Sequence, residues 1–150
     1  MAATTISWKV SDSNRIMGSK SLNFHEDDTV EHCWQVLSCI LRRSMESEYQ
    51  QMVIDTGMPV LFQGLRYNCR VILRNGRVLL IRPKMFLAND GNYRETRWFT
   101  PWMGQKVVVD FELPDSIFGV SQQRVTRFGD AVLSINGYVF WFEEFKYWVC

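Results

Sequence analysis

The chain has 150 residues, 47% of them hydrophobic and 22% charged, with a formal net charge of +1. These are globular values: they exclude wholesale disorder and fit one domain able to bury a core of its own. A balance this close to neutral also argues against a strong electrostatic partner such as bulk nucleic acid or an anionic membrane.

The aromatic share is 14%, with six tryptophans, and it points to thick packing or to a large interface without choosing between them. The four cysteines, Cys33, Cys39, Cys69 and Cys150, form no C-x-x-C pair, and residues 1–20 hold no apolar segment of the signal-peptide type. Reduced thiols in a cytoplasmic or nuclear protein are therefore the expectation, cytoplasmic being the placement assigned. No run approaches the length that spans a bilayer. His25, His32 and Cys33 lack the clustered spacing of a zinc site, so no metal is assigned.

In chain order, residues 1–23 are polar, with Ile6, Trp8 and Val10 as their only alternating apolar trace, which fits a short strand or a loose arm. A helix follows. Asp28 serves as its predicted cap with Glu31 three residues on, and Val30, Trp34, Leu37, Ile40 and Leu41 recur on one face. Arg42 and Arg43 close it where the helix dipole favours cations. The helix is expected to cover one face of a sheet, with His32 as a surface or packing residue.

Met52-Val53-Ile54 reads as a buried strand, punctuated by Gly57-Met58-Pro59 and continued by Val60-Leu61-Phe62. From Arg66 to Arg74 the pattern alternates: Tyr67, Cys69, Val71 and Leu73 face one way, and Asn68, Arg70 and Arg74 the other. Asn75-Gly76 is the strongest hairpin signal in the chain, because a type I′ turn needs positive φ at both central residues. The returning strand ends at Pro83, which cannot donate to a ladder, and delivers Lys84 to its mouth. Beyond it, Gly104 to Pro114 holds Val107-Val108-Val109 and a Phe111-Glu112-Leu113 trace, residues 116–127 read as a loop with a short helix, and residues 128–133 as the start of another strand. The aromatic run after Ser134 is only weakly patterned.

The stretch Arg82 to Trp102, RPKMFLANDGNYRETRWFTPW, stands apart from ordinary strand or helix text. A lysine at a strand end, backed by apolar residues, sits where scaffolds commonly carry binding and catalytic groups. Together with TGMPVLFQGLRYNCRVILRNGRVLLIRPK before it, FGDAVL after it and FHEDDTVEHCWQVL upstream, the run resembles the glutaminase domain of eukaryotic glutamine-dependent NAD synthetases, members of the nitrilase superfamily. The resemblance covers residues 24–133, flanked by a non-matching arm at 1–23 and a non-matching aromatic tail at 134–150. It implies an α/β fold, part of a nitrilase-type α-β-β-α sandwich with a mixed sheet.

It also implies chemistry. Amidases of this kind use a Cys–Glu–Lys triad in which a thiolate attacks the amide of glutamine, a carboxylate moves protons and a lysine cation stabilises the oxyanion. The matching lysine is Lys84; Tyr93, Glu95 and Arg97 belong to the same motif and are read as structural support for it. The family glutamate lies in a PELE-type motif that residues 1–23 do not contain, and Asp12, one methylene shorter among unlike neighbours, does not take its place. The family cysteine lies in a C-E-E-L-type motif a dozen residues past FGDAVL. The only downstream cysteine is Cys150, whose place at the end of the sequence gives it no following backbone to build an oxyanion donor.

No pyrophosphate loop of the SGGxDS type, no P-loop and no GxGxxG occurs, so no cofactor is assigned, ATP and magnesium being implied for a synthetase domain not represented here. The expectation is a shortened product of such a gene, deficient in glutamine hydrolysis by itself. The alternative is a non-catalytic module that associates with full-length synthetase subunits in a homo-oligomer. A nucleic-acid role for Arg66, Arg70, Arg74, Arg77 and Arg82 ranks last.

Overall fold

The computed structural model describes residues 5–7, 27–92, 94–135 and 137–140. Most of the N-terminal arm, Tyr93 and the tail from residue 141, Cys150 included, lie outside them. Helix α1 (Asp27–Arg43) begins two residues earlier than a cap at Asp28 would place it, so Asp28 sits inside the first turn rather than before it. Its apolar stripe behaves as its spacing requires. Trp34, Leu37 and Leu41 are buried, Val30, Cys33 and Ile40 pack beside them, and His32 is exposed.

Three strands then form a meander: β2 (Val53–Phe62), β3 (Leu65–Arg74) and β4 (Arg77–Pro83). The expected break at Gly57-Met58-Pro59 does not occur, and β2 runs through it. The short strand β1 (Thr5–Ser7) pairs in parallel with Val53 to Asp55 alone, so beyond that point β2 is an edge among the described residues, where proline is tolerated. Both meander turns hold two residues at positive φ: Gln63 at 50° with Gly64 at 76°, and Asn75 at 44° with Gly76 at 71°. The second turn is docked on the end of α1. The Gly76 N–H donates to Ser44 Oγ at 2.9 Å, and Ser44 Oγ donates to the Leu41 carbonyl at 2.6 Å. A side chain at Gly76 would meet Met45 Cγ at 2.5 Å, a second reason for glycine there.

Beyond β4 come β5 (Val108–Glu112), helix α2 (Asp115–Ser121) and β6 (Val125–Gly129). Phe128 thus lies near the end of a strand rather than at the start of one, because β6 begins before the apolar text that suggested it. The sheet order is β1-β2-β3-β4-β6-β5, with β4 and β6 parallel and the other neighbours of the core antiparallel. A separate hairpin, β7 (Leu133–Ile135) with β8 (Tyr138–Phe140), turns through Gly137. The fold class is α/β with a mixed sheet, as expected.

The two sheet faces differ. On the helix side, Tyr67, Cys69, Val71, Leu73 and Phe128 join α1 and α2 in the main core. Much of the aromatic content is packing: Phe128 lies within 4.6 to 5.7 Å, centroid to centroid, of Phe62, Tyr67, Trp102 and Phe111. The far side carries a smaller cluster, Val53, Ile72 and Leu80, packed by Ala131, Leu133 and Ile135, and beside it a strip of charge.

Candidate functional site

Lys84 lies one residue past β4, on the far side of the sheet. Its N–H donates to the Asn68 carbonyl at 2.8 Å, extending the ladder by one step, and its carbonyl accepts from the Trp102 N–H at 3.0 Å. The loop between those two residues is therefore closed at its base. A 3₁₀ turn at Glu95–Arg97 brings Glu95 back to the lysine. Nζ lies 2.8 Å from Glu95 Oε2 and 3.1 Å from Oε1, with side-chain exposures of 6% for Lys84 and 13% for Glu95.

Every other contact of that carboxylate tightens the arrangement. Asn68 Nδ2 donates to Oε1 at 3.1 Å, the Ala88 N–H donates to Oε2, and the Glu95 N–H returns to the Ala88 carbonyl at 3.0 Å. A buried ammonium is tolerable only with a close, well hydrogen-bonded counter-charge, and Glu95 meets that condition. Lys84 is thus neither out in solvent nor in the helix-side core.

Of the motif residues, the structure brings Lys84 and Glu95 together. Arg97 is exposed on the 3₁₀ turn, and Tyr93 lies outside the described residues. Asn68 and the Ala88 N–H were missed at the sequence level. Asn68 was legible as facing away from the helices, but its pairing with this loop depends on a register shift that the sequence does not announce.

Two further ion pairs share that face. Arg70 bonds Asp55 through both Nε and Nη2, and Arg82 Nη2 lies 2.9 Å from Asp130 Oδ1. Arg70 and Arg82 stand directly opposite each other. Burial, and secondarily the Arg82 cation, lower the Arg70 guanidinium to about 10, which leaves it charged at neutral pH. The arginines that cluster in the sequence are thus partly consumed in pairs within the sheet face.

Asp130 is held below the ordinary carboxyl value of 3.8, first by the Lys106 N–H and also by Arg82, against the opposing effect of burial. A carboxyl so depressed stabilises the fold at pH above its unfolded value, and that stability is lost as pH falls through the folded one. Urea midpoints are therefore expected to fall between pH 6 and pH 3, and Asp130→Asn to cost about 1 kcal/mol at pH 6 and flatten that fall. An Asp130→Asn chain with the wild-type midpoint at pH 6 would remove Asp130 from the account.

None of the described cysteines joins Lys84. Cys69 is buried on the helix side, Cys39 is exposed on α1, and burial pushes the Cys33 thiol up, away from thiolate chemistry. An open cavity of about 420 Å³, lined by Arg74, Arg77, Leu79, Leu133 and Ile135, lies at the Asn75-Gly76 end of the hairpin. From Arg77 to Lys84 is about 23 Å of strand at roughly 3.3 Å per residue, so that cavity is not the lysine's. Among the described residues no helix is long and apolar enough to cross a membrane.

The mixed sheet with helices on one face is of the nitrilase type, as its likeness to a solved NAD(+) synthetase shows. The chain matches no family model. Over 112 residues, 75% of its length, it is 48% identical to the glutamine-dependent NAD(+) synthetase of Saccharomyces cerevisiae, and the human enzyme is 47% identical over 111 residues. A glutamine-dependent NAD(+) synthetase from Cytophaga hutchinsonii superimposes with a TM-score of 0.62 at 26% identity, covering 77% of this chain and 18% of that one. Three quarters of this chain is therefore related to a segment of the glutamine-dependent NAD(+) synthetases. It spans about 15% of the length of the curated relatives.

Proposed function

We propose that this chain carries part of a glutaminase-type amidase domain, of the kind that supplies ammonia from glutamine for the ATP-dependent amidation of nicotinic acid adenine dinucleotide to NAD. The observation that carries the reading is the buried Lys84 ammonium at the end of β4, fixed by Glu95 and Asn68. A rigidly held cation of this kind suits an oxyanion formed when a thiolate attacks an amide, because it needs no reorganisation as charge develops. Glu95 takes the role of positioning group, since both its oxygens are committed to Lys84, Asn68 and Ala88.

The triad glutamate and cysteine have no motif counterpart in these residues, so the chain by itself is deficient in turnover. Purified chain incubated with glutamine should release no ammonia above buffer, and Lys84→Ala should change nothing. Turnover that survives Cys150→Ala but vanishes with Lys84→Ala would overturn the deficiency, since it would require a complete site built on this lysine. The same preparation bears on the alternative, association with full-length synthetase subunits. A chain without turnover, found in mixed oligomers with the full-length enzyme by native mass spectrometry, takes that role.

A further inference from the structure

Lys84 reaches the far side of the sheet because β4 carries one residue more than its ladder needs. Counting back from the Asn75-Gly76 turn, Arg74 pairs with Arg77 and Leu73 with Val78. Were the ladder unbroken, Lys84 would stand opposite Tyr67 and point toward the helices, into the aromatic core. Instead the next pairs are Ile72 with Leu80, Val71 with Ile81, Arg70 with Arg82 and Cys69 with Pro83. Leu79 is left over as a bulge. A slip of one residue exchanges the two faces of everything beyond it. Val78 and Ile81 accordingly share the main core, whereas Leu80 joins the far-side cluster.

Beside this bulge, the Val78 backbone groups that face the next strand are satisfied by side chains, one from the residue pair leading into β6 and one from β6 itself. The Val78 N–H donates to Gln123 Oε1 at 3.0 Å, and the Val78 carbonyl accepts from Gln123 Nε2 at 2.9 Å and from Thr126 Oγ1 at 2.9 Å. Gln123 Nε2 also donates to the Val125 carbonyl at 2.9 Å. Only Ile81 with Phe128 pairs directly between β4 and β6, so the amide of Gln123 stands in for a missing stretch of ladder. Its own placement is specified: Gln122 closes α2 in the left-handed region at φ 56°, and the Gln123 N–H is taken by Ser121 Oγ at 3.1 Å. Gln123 is 9% exposed.

We propose that Gln123 is a positioning residue for Lys84: by holding the Leu79 bulge it selects the sheet face from which the amine emerges, beside Glu95 and Asn68. The assignment of a catalytic use to that amine rests on the glutaminase reading; its placement does not. The test is the protection of the Lys84 amine in the intact chain, measured by mass spectrometry as its rate of acylation by a water-soluble amine-reactive ester, with exposed Lys106 as internal reference.

In Gln123→Leu, which keeps bulk and removes the amide, Lys84 labelling should rise about tenfold relative to Lys106. Ile117→Val, a core change that removes no hydrogen bond to Val78, should leave it at the wild-type rate. A folded Gln123→Leu with unchanged Lys84 labelling overturns the proposal, and so does an equal rise in Ile117→Val, which would reduce the effect to general loosening. Should Gln123→Leu fail to fold, Thr126→Val decides, because it removes one of the two side-chain donors to Val78: a rise of about threefold supports the proposal and no rise overturns it. Ammonia release plays no part in this readout, so failure of the glutaminase reading and failure of this one are separate results.

Discussion

Glu95→Ala should destabilise the chain by about 3–5 kcal/mol in urea unfolding, the range for removing one partner of a buried ion pair. The reason lies in what remains. The Lys84 ammonium, 6% exposed, would keep its charge site without a counter-charge, and Asn68 Nδ2 and the Ala88 N–H would lose their acceptor. An unmade buried bond costs more than a made one contributes. Replacing both partners together, as Lys84→Met with Glu95→Leu, should cost less than the sum of the single changes, because no charge is then stranded. A loss below about 1 kcal/mol for Glu95→Ala would show the pair to be a surface bridge in energetic terms and would weaken the reading of Lys84 as a fixed cation.

Phe128→Ala is the second large effect, expected at about 3–5 kcal/mol by thermal or urea unfolding. Phe128 is fully buried and its ring meets Phe62, Tyr67, Trp102 and Phe111. The neighbours come from β2, β3, the loop after Lys84 and β5, so the cavity left behind has four rigid walls and little freedom to collapse. Phe128→Leu should cost well under half as much. A Phe128→Ala chain within about 1 kcal/mol of wild type would contradict the dense packing assigned to this cluster. The position also matters to the site, since Trp102 both packs on Phe128 and closes the loop on the Lys84 carbonyl.

Much of this architecture is legible without coordinates where the signal is local. The stripe Val30, Trp34, Leu37, Ile40 and Leu41 lies on one helix face because its spacing matches the helical repeat. Asn75-Gly76 makes the turn because those residues tolerate positive φ. Local signals also mislead. Gln63-Gly64 forms the same kind of turn from a less typical pair, and Pro59 interrupts nothing because its strand is an edge there among the described residues. The strand holding Phe128 begins at Val125, a residue that is half exposed and so adds little to a buried-strand pattern.

By itself the sequence determined that an amine would arrive at the end of a hairpin strand, since a turn, an alternating pattern and a proline stop are all written within twenty-odd neighbouring residues. It also placed Glu95 in the same motif, though not at hydrogen-bonding distance. Which way the amine points was decided only in the tertiary structure. That choice depends on one surplus residue, Leu79, and the surplus is stabilised by Gln123, 45 positions from Val78. The period of a strand is two, so a single long-range hydrogen-bonding group that fixes the register can exchange core for site.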